Sequence, residues 1–173
     1  MANHVTNSIV IRYGAEVESV VSDIVDKIAK EGNVHCVYDQ WEDTREWYED
    51  HIGSKWVRLN DVPYCDESEA NLYLESAWDE IDPFVRHLCH VIGECEIVHS
   101  FMDEMPNFGG TRKYVNGELV AENYVGNLWQ RIEEETVRRM KSENLSFSND
   151  TDLDDWRWDW VWDFADDVTD IAE

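Results

Sequence analysis

The first part of the fold is set by residues 8–32, which have the sequence SIVIRYGAEVESVVSDIVDKIAKEG. Ser8–Tyr13 alternates around a run of β-branched residues and stops at Gly14, which predicts a first strand. Ala15–Lys30 then places valines and isoleucines three and four residues apart, the spacing of an amphipathic helix. Gly32 follows this pattern as the C-terminal stop signal, so the chain opens with a strand and a helix.

The following segments continue to alternate between strand and helix patterns. The predicted elements are, in chain order, a short strand at Val34–Tyr38, an acidic helix or ordered loop at Asp39–His51, a strand at Lys55–Leu59, a loop at Asp61–Glu69, a strand at Leu72–Ala77, a helix at Glu80–Ile92 and a strand at Cys95–Met102. Pro83 suits the first turn of the second helix, because its missing N–H would be unpaired there anyway.

A hairpin follows this core. Thr111–Val115 and Glu118–Asn123 flank Asn116-Gly117, a strong short-range signal for a two-residue β-turn. The preceding order of strand, helix, strand, strand, helix, strand is the α+β pattern called ferredoxin-like. We therefore expect an α+β fold with a ferredoxin-like βαββαβ core, an added β-hairpin and a C-terminal acidic, Trp-rich helical extension. The expected units are a ferredoxin-like domain at residues 1–125, with an insertion at about 39–54, and the extension at 126–173.

Four short motifs occur in the order found in a known family. They are His4-Val5-Thr6-Asn7, Gly53-Ser54-Lys55-Trp56, Glu75-Ser76-Ala77-Trp78 and Phe108-Gly109-Gly110. On these motifs the chain resembles the YubB-type ferredoxin-like family of plasmid and phage proteins, over roughly residues 1–125. The chain departs from that pattern at Asp79-Glu80, where the family has a Pro-rich turn, and in its acidic tail. The resemblance implies a fold and a mobile-element origin, but it brings no established reaction and therefore assigns no catalytic residues.

The charge balance limits the possible partners. The chain has 39 acidic residues against 14 lysines and arginines, a formal net charge of −25. Such a charge excludes a general nucleic-acid binder and disfavours binding to an anionic membrane. A globule of this length is about 40 Å across, and about 40 Å of duplex DNA carries on the order of 24 charges. This match in size and charge favours a protein that imitates DNA.

The main site hypothesis comes from the last predicted helix, Asp152–Ala172, which follows another predicted at Leu128–Lys141. At 100° per residue, six of its aspartates fall within an arc of about 80°. These candidate partner-binding residues are Asp152, Asp155, Asp159, Asp163, Asp166 and Asp170. Aligned aspartates repel each other by roughly 0.2–0.5 kcal/mol per pair. A helix face that only contacts solvent could avoid this repulsion by including lysines, so the pattern favours a row of carboxylates positioned to bind a partner. The alternative is that the aspartates only form such a solvent-exposed face.

Two further groups join this candidate surface. Glu42, Asp43 and Glu46 lie in the acidic insertion and offer a second patch of negative charge. Trp158 and Trp162 flank the aspartate arc, and exposed tryptophans are frequent anchors in protein interfaces. Most of the nine tryptophans are expected to be structural, because each can bury a large area.

The sequence carries no signature of an enzyme. It contains no P-loop, G-x-G-x-x-G, G-x-S-x-G or H-E-x-x-H motif, so we expect neither catalysis nor a cofactor. The histidines and cysteines at 87, 89, 90, 95 and 99 match no standard zinc spacing, so no metal is expected either. A pocket lined by Asp103, Glu104 and His99 with shifted pKa values would favour an enzyme instead.

These observations predict a phage- or plasmid-encoded anti-defence inhibitor that mimics DNA. It would block the DNA-binding surface of a host restriction or CRISPR effector, a nucleic-acid-binding defence protein with a basic channel. The alternative is an acidic adaptor that binds through exposed tryptophans, with charge serving solubility only. We expect no direct contact with nucleic acid or membrane, and a homodimer is left open. With only four cysteines and a polar start, the chain is expected in the host cytoplasm with reduced thiols.

Overall fold

The computed structural model describes residues 3–171, which form one mixed α+β structure. Within these residues there are seven strands and six α-helices. The strands are β1 (His4–Tyr13), β2 (Val57–Leu59), β3 (Tyr64–Cys65), β4 (Glu69–Ala77), β5 (Cys95–Asp103), β6 (Gly109–Val115) and β7 (Glu118–Val125). The helices are α1 (Glu18–Glu31), α2 (Arg45–His51), α3 (Asp82–Ile92), α4 (Leu128–Glu143), α5 (Asp150–Trp158) and α6 (Val161–Thr169). No helix among the described residues is long and apolar enough to cross a membrane.

All strands belong to one antiparallel sheet with the order β2-β4-β1-β5-β6-β7, and β3 also pairs with β4. The predicted α+β class is confirmed, and the sheet is larger than the four strands of the expected core. Along β1 the odd-numbered side chains, such as Ile9 and Ile11, are buried against α1 and α3. The even-numbered side chains, such as Ser8, leave the sheet on the opposite face because strand side chains alternate.

The local signals at the first helix and the hairpin are confirmed. Gly32 has φ 68° and donates its N–H to the carbonyl of Ile28, which ends α1 in the left-handed conformation that glycine adopts without strain. Asn116 and Gly117 have φ of 51° and 84°, the positive values that a tight hairpin turn between β6 and β7 requires.

Two predictions in the middle of the chain are wrong. Val34–Tyr38 is not a strand but contains a short 3₁₀ turn at His35–Val37. The Asn33 side chain accepts the backbone N–H of His35, and this local bond competes with pairing in a sheet. The predicted loop at Asp61–Glu69 contains the two-residue strand β3, which pairs with the start of β4.

The C-terminal helices cover part of the second face of the sheet. A separate hydrophobic cluster joins them to that face through Met102, Val125, Leu128, Ile132, Trp160, Val161 and Ala165. The Asn123 side-chain amide donates to the carbonyls of Val168 and Asp170, at 2.9 and 2.7 Å, and fixes the end of α6 to β7. The sheet thus separates α1 and α3 on one side from the C-terminal helices on the other.

The last predicted helix, Asp152–Ala172, is in fact two helices. The chain leaves helical geometry at Trp160, which has φ −134° and ψ −8° and lies between α5 and α6. Trp160 is 8% exposed and Val161 is fully buried. The break therefore lets two consecutive side chains enter the same core, which a continuous helix would turn about 100° apart. Ala172, the predicted end of this helix, lies outside the described residues.

Candidate functional site

The six predicted aspartates are all exposed, but they do not form one straight row. Asp152 and Asp155 lie on α5, and Asp159 lies at the break between the helices. Asp163 and Asp166 lie on α6, whereas Asp170 follows its last residue. The 80° arc assumed an unbroken helix, so this part of the prediction is wrong. The carboxylates are instead displayed along two short helices that meet at Trp160.

The carboxylates at the end of this segment are close enough to affect one another. Burial raises the pKa of Asp166 above its ordinary value, and repulsion from Asp163, Asp167 and Asp170 raises it further. Asp150–Asp170 contains nine aspartates and a single basic residue, Arg157. The surface of α6 therefore carries negative charge that no neighbouring basic residue of this segment neutralises.

Arg157 is occupied within its own helix. Its Nη1 donates to Asp154 at 3.0 Å, and its guanidinium lies over the ring of Trp129 at 5.5 Å from the centroid. Its side chain is largely buried, so it cannot reach out to neutralise the aspartates of α6.

The two candidate anchor tryptophans lie together on the surface. The rings of Trp158 and Trp162 stack with centroids 5.8 Å apart, and the residues are 38% and 41% exposed. Trp129 lies 6.2 Å from Trp158 and, like Trp156, is partly buried against the second core, whereas Trp160 is a buried member of that core. An exposed indole pair flanked by aspartates can accept a cation both by its ring faces and by its carboxylates.

The acidic insertion lies elsewhere on the molecule. Glu42, Asp43 and Glu46 are exposed, at the start of α2 or just before it. α2 packs against α3 through Trp47 and Tyr48 of the first core, on the opposite side of the sheet from α6. The structure therefore does not bring the insertion and the C-terminal aspartates onto one face.

A groove that sequence reasoning missed runs between the uncovered part of the sheet and α6. It has a volume of about 510 Å³ and is lined by hydroxyl side chains of the central strands together with Asp166, Asp167 and Asp170. The hydroxyls belong to Ser8, Ser100 and Thr111. Ser8 is far from the other two along the chain, and only the pairing of the strands brings the three together. The sequence signal for this groove would have been the small polar residues on one face of three predicted strands.

Three of the four family-like motifs are joined by hydrogen bonds at one end of the sheet. The amide of Asn7 donates to the hydroxyl of Ser76 at 2.9 Å, and the Ser54 hydroxyl exchanges hydrogen bonds with the backbone of Ala77. His99 Nε2 lies 3.0 Å from Asn7 Oδ1, which adds a fully buried imidazole to this network. These contacts are internal and give these three motifs a shared structural role.

The alternative enzyme site does not form as expected. His99 and Asp103 are buried on the α1–α3 side of the sheet, whereas Glu104 is exposed. The groove beside α6 is lined by none of the three. Burial lowers the pKa of His99 to about 3, so the imidazole is neutral at physiological pH.

A cluster of ionisable groups lies at the start of α3. Glu80, Asp82 and His99 offer ligand atoms within 4.8 Å of one another. A guanidinium already occupies this position, because Arg112 Nη1 lies 2.6 Å from Glu80 and 3.4 Å from Asp82. Arg112 therefore supplies the positive charge that a metal ion would bring, and the cluster fits an internal ion network better than a metal centre.

Comparison with known proteins gives one distant structural neighbour. No protein-family model matches the chain, and no curated protein matches it either. A crystal structure of protein api92 from Yersinia pseudotuberculosis, of the DUF1281 family, aligns with a TM-score of 0.41 and 19% identity. The alignment covers 56% of this chain and 35% of that protein, so this chain corresponds to about a third of its length.

Proposed function

We propose that this chain is a non-enzymatic inhibitor, encoded by a phage or plasmid, that acts by mimicking DNA. Its partner would be a host restriction or CRISPR effector with a basic channel, and the aspartates of α5 and α6 would occupy that channel. The observation that carries the proposal is the exposure of all six aspartates around Trp160, with one internally paired arginine among them. Competition for the channel would exclude DNA without any chemical step.

The energetics favour a fast and salt-sensitive complex. A segment with nine aspartates and one arginine attracts a basic surface over long range, which accelerates encounter. Added salt would weaken this attraction, because exposed charges are screened beyond about 8 Å at physiological ionic strength. A host cytoplasmic location follows from such a partner.

We also propose that β1, α1, β2, β4, α3 and β5 correspond to a ferredoxin-like core. The strand order β2-β4-β1-β5 supports this, because it places the first and third strands of a βαββαβ unit side by side in the middle. On this assignment β3, β6 and β7 are additions. We further propose membership of the YubB-type family, with the hydrogen bond between Asn7 and Ser76, which joins two of the four motifs, as support.

The function is tested by charge reversal on the outward surface. The variant D155K/D159K/D163K changes three exposed aspartates, and E16K/D26K/E31K changes three exposed acids on and just before α1 by the same total charge. Each is expressed in bacterial strains that carry a defined restriction system or Cas9, and the plating efficiency of a targeted phage is measured. A purified effector and a labelled DNA duplex then report competition directly.

We expect the unaltered chain and the α1 variant to protect the phage and to displace duplex from the effector. The C-terminal variant should do neither while remaining folded by circular dichroism. Retained protection by a folded C-terminal variant would reject the proposed surface. Absence of protection and of duplex displacement by the unaltered chain in every strain and effector tested would reject the function.

The second candidate is an adaptor that binds a protein through Trp158 and Trp162. It is favoured by their stacked and exposed rings, which buried structural tryptophans would not show. The double variant W158A/W162A would then lose binding to the captured partner more than D155K/D159K/D163K does, and the complex would survive high salt. The opposite ranking supports DNA mimicry.

A further inference from the structure

The groove beside α6 has a polar floor built by strand register. Tyr73 pairs with Ser8, Ser8 with Ser100, and Ser100 with Thr111, so four hydroxyl-bearing residues form one row across β4, β1, β5 and β6. The hydroxyls of Ser100 and Thr111 lie 3.1 Å apart. Because this row lies on the face opposite α1 and α3, its oxygens can accept hydrogen bonds from a bound group.

The wall of the groove is acidic and fixed in place. Asp166, Asp167 and Asp170 line it, and the Asn123 amide holds the adjacent carbonyls of Val168 and Asp170 to β7. The lining contains no lysine or arginine among the described residues. Burial and then the repulsion from neighbouring carboxylates raise the pKa of Asp166, and a bound cation would relieve that repulsion.

The groove also has an apolar part, which suits an organic ligand rather than a bare ion. This apolar surface comes from the side chains of Tyr73 and Met102, which lie on the same face of the sheet as Ser8. Its volume of about 510 Å³ lies within the usual range for small-molecule sites, roughly 300–1,000 Å³. A hydrated metal ion would leave these apolar groups without a partner.

We infer that this groove binds the guanidinium group of an arginine side chain presented by the protein partner, with the aliphatic stem packed against Tyr73 and Met102. This inference rests on the proposed function, and it names the chemistry by which the basic channel is recognised. The planar guanidinium offers five N–H donors, which can be shared between the carboxylates of the wall and the hydroxyls of the floor. The groove would therefore add a specific anchor to the general attraction of the surface aspartates.

The test uses the full chain and two small probes followed by ¹H–¹⁵N NMR. N-acetyl-arginine amide carries the guanidinium, and N-acetyl-citrulline amide is its neutral analogue of nearly the same shape. The titrations are run at physiological ionic strength, where charges beyond about 8 Å are largely screened. We expect the arginine probe to shift the backbone amides of Ser8, Ser100 and Thr111, and the citrulline probe to leave them unchanged.

Matched variants separate the groove from general electrostatics. D167N/D170N removes two wall charges, whereas D26N/E31Q removes the same charge from α1 on the other side of the sheet. We expect D167N/D170N to weaken binding of the arginine probe about tenfold or more, because each charge-assisted hydrogen bond contributes roughly a factor of ten to the affinity. D26N/E31Q should bind as the unaltered chain does. The pKa of Asp166, followed by carboxyl ¹³C shifts, should fall when the arginine probe is bound.

Three results would overturn the inference: equal shifts with both probes, equal weakening by both variants, or shifts confined to exposed amides of α5. Its failure is distinct from failure of the proposed function. If the arginine probe does not enter the groove while the chain still displaces DNA from an effector, the inhibitor function stands and the groove assignment is wrong.

Discussion

Replacement of Arg112 by methionine tests whether the charge cluster beside α3 depends on one buried cation. The Arg112 side chain is 13% exposed, and its guanidinium contacts Glu80 at 2.6 Å, Asp82 at 3.4 Å and Glu122 at 2.6 Å. Glu80 and Asp82 are themselves only 14% and 16% exposed. Removal of the guanidinium would therefore leave two poorly solvated carboxylates without this partner.

The expected loss of stability at pH 7 is about 3 kcal/mol, the scale for breaking a buried ion pair from one side. For a domain of this size that lowers the melting temperature by roughly 6–12 °C. Arg12 supplies the matched control, because it also contacts two carboxylates, Glu69 and Glu96, but its side chain is 55% exposed. R12M should cost less than about 1 kcal/mol, since exposed ion pairs contribute little.

The pH dependence gives a second, independent readout. Burial raises the pKa of Glu80, and the contact with Arg112 opposes this rise. Burial also acts to raise the pKa of Asp82, but hydrogen bonds from Tyr114 and Arg86 hold it below its ordinary value. In R112M both carboxylates should titrate at higher pH than before. Because a protonated carboxyl needs no counter-charge, the loss in the free energy of unfolding caused by R112M should become smaller as the pH falls from 7 toward 4.

Urea denaturation of the unaltered chain, R112M and R12M at pH 7 and pH 4 measures these differences. Equal losses for R112M and R12M would show that burial does not decide the contribution of the ion pair. A loss for R112M that is the same at both pH values would refute the account of Glu80 and Asp82.

Two further predictions concern the second core and the buried imidazole. Trp160→Ala should cost about 3–5 kcal/mol, because the indole is 8% exposed, and hydrogen exchange should then accelerate in α4 and α6 more than in α1. His99 has its pKa lowered to about 3 by burial. Its contribution to stability should therefore fall as pH decreases below about 6.5, where the unfolded chain takes up the proton. His99→Gln can keep a donor for Asn7 and should flatten that part of the pH–stability curve measured by urea denaturation.

The parts of the fold that sequence predicted are those governed by neighbours along the chain. The first strand, the helix ending at Gly32 and the turn at Asn116-Gly117 each depend on a few adjacent residues. The break at Trp160 was missed because it is set by burial of Trp160 and Val161 against α4 and the sheet, which overrides the helical pattern of the segment.

The candidate site, like the fold, could be predicted from the sequence only in part. Exposure of the aspartates and of Trp158 and Trp162 follows from charge and from position on the helices. The groove was not predictable, since Ser8, Ser100 and Thr111 become neighbours only after three strands pair in one register. Likewise, the side of the sheet on which the acidic insertion packs is decided by Trp47 and Tyr48 entering the first core.

The two hydrophobic clusters share no residue and lie on opposite faces of the same sheet. Substitutions on the outer surfaces of α5 and α6 can therefore accumulate without disturbing how α1 and α3 pack. Such an arrangement lets the two layers diverge at different rates: the outer surfaces of the C-terminal helices can change their residues while the packing of α1 and α3 against the sheet keeps its sequence.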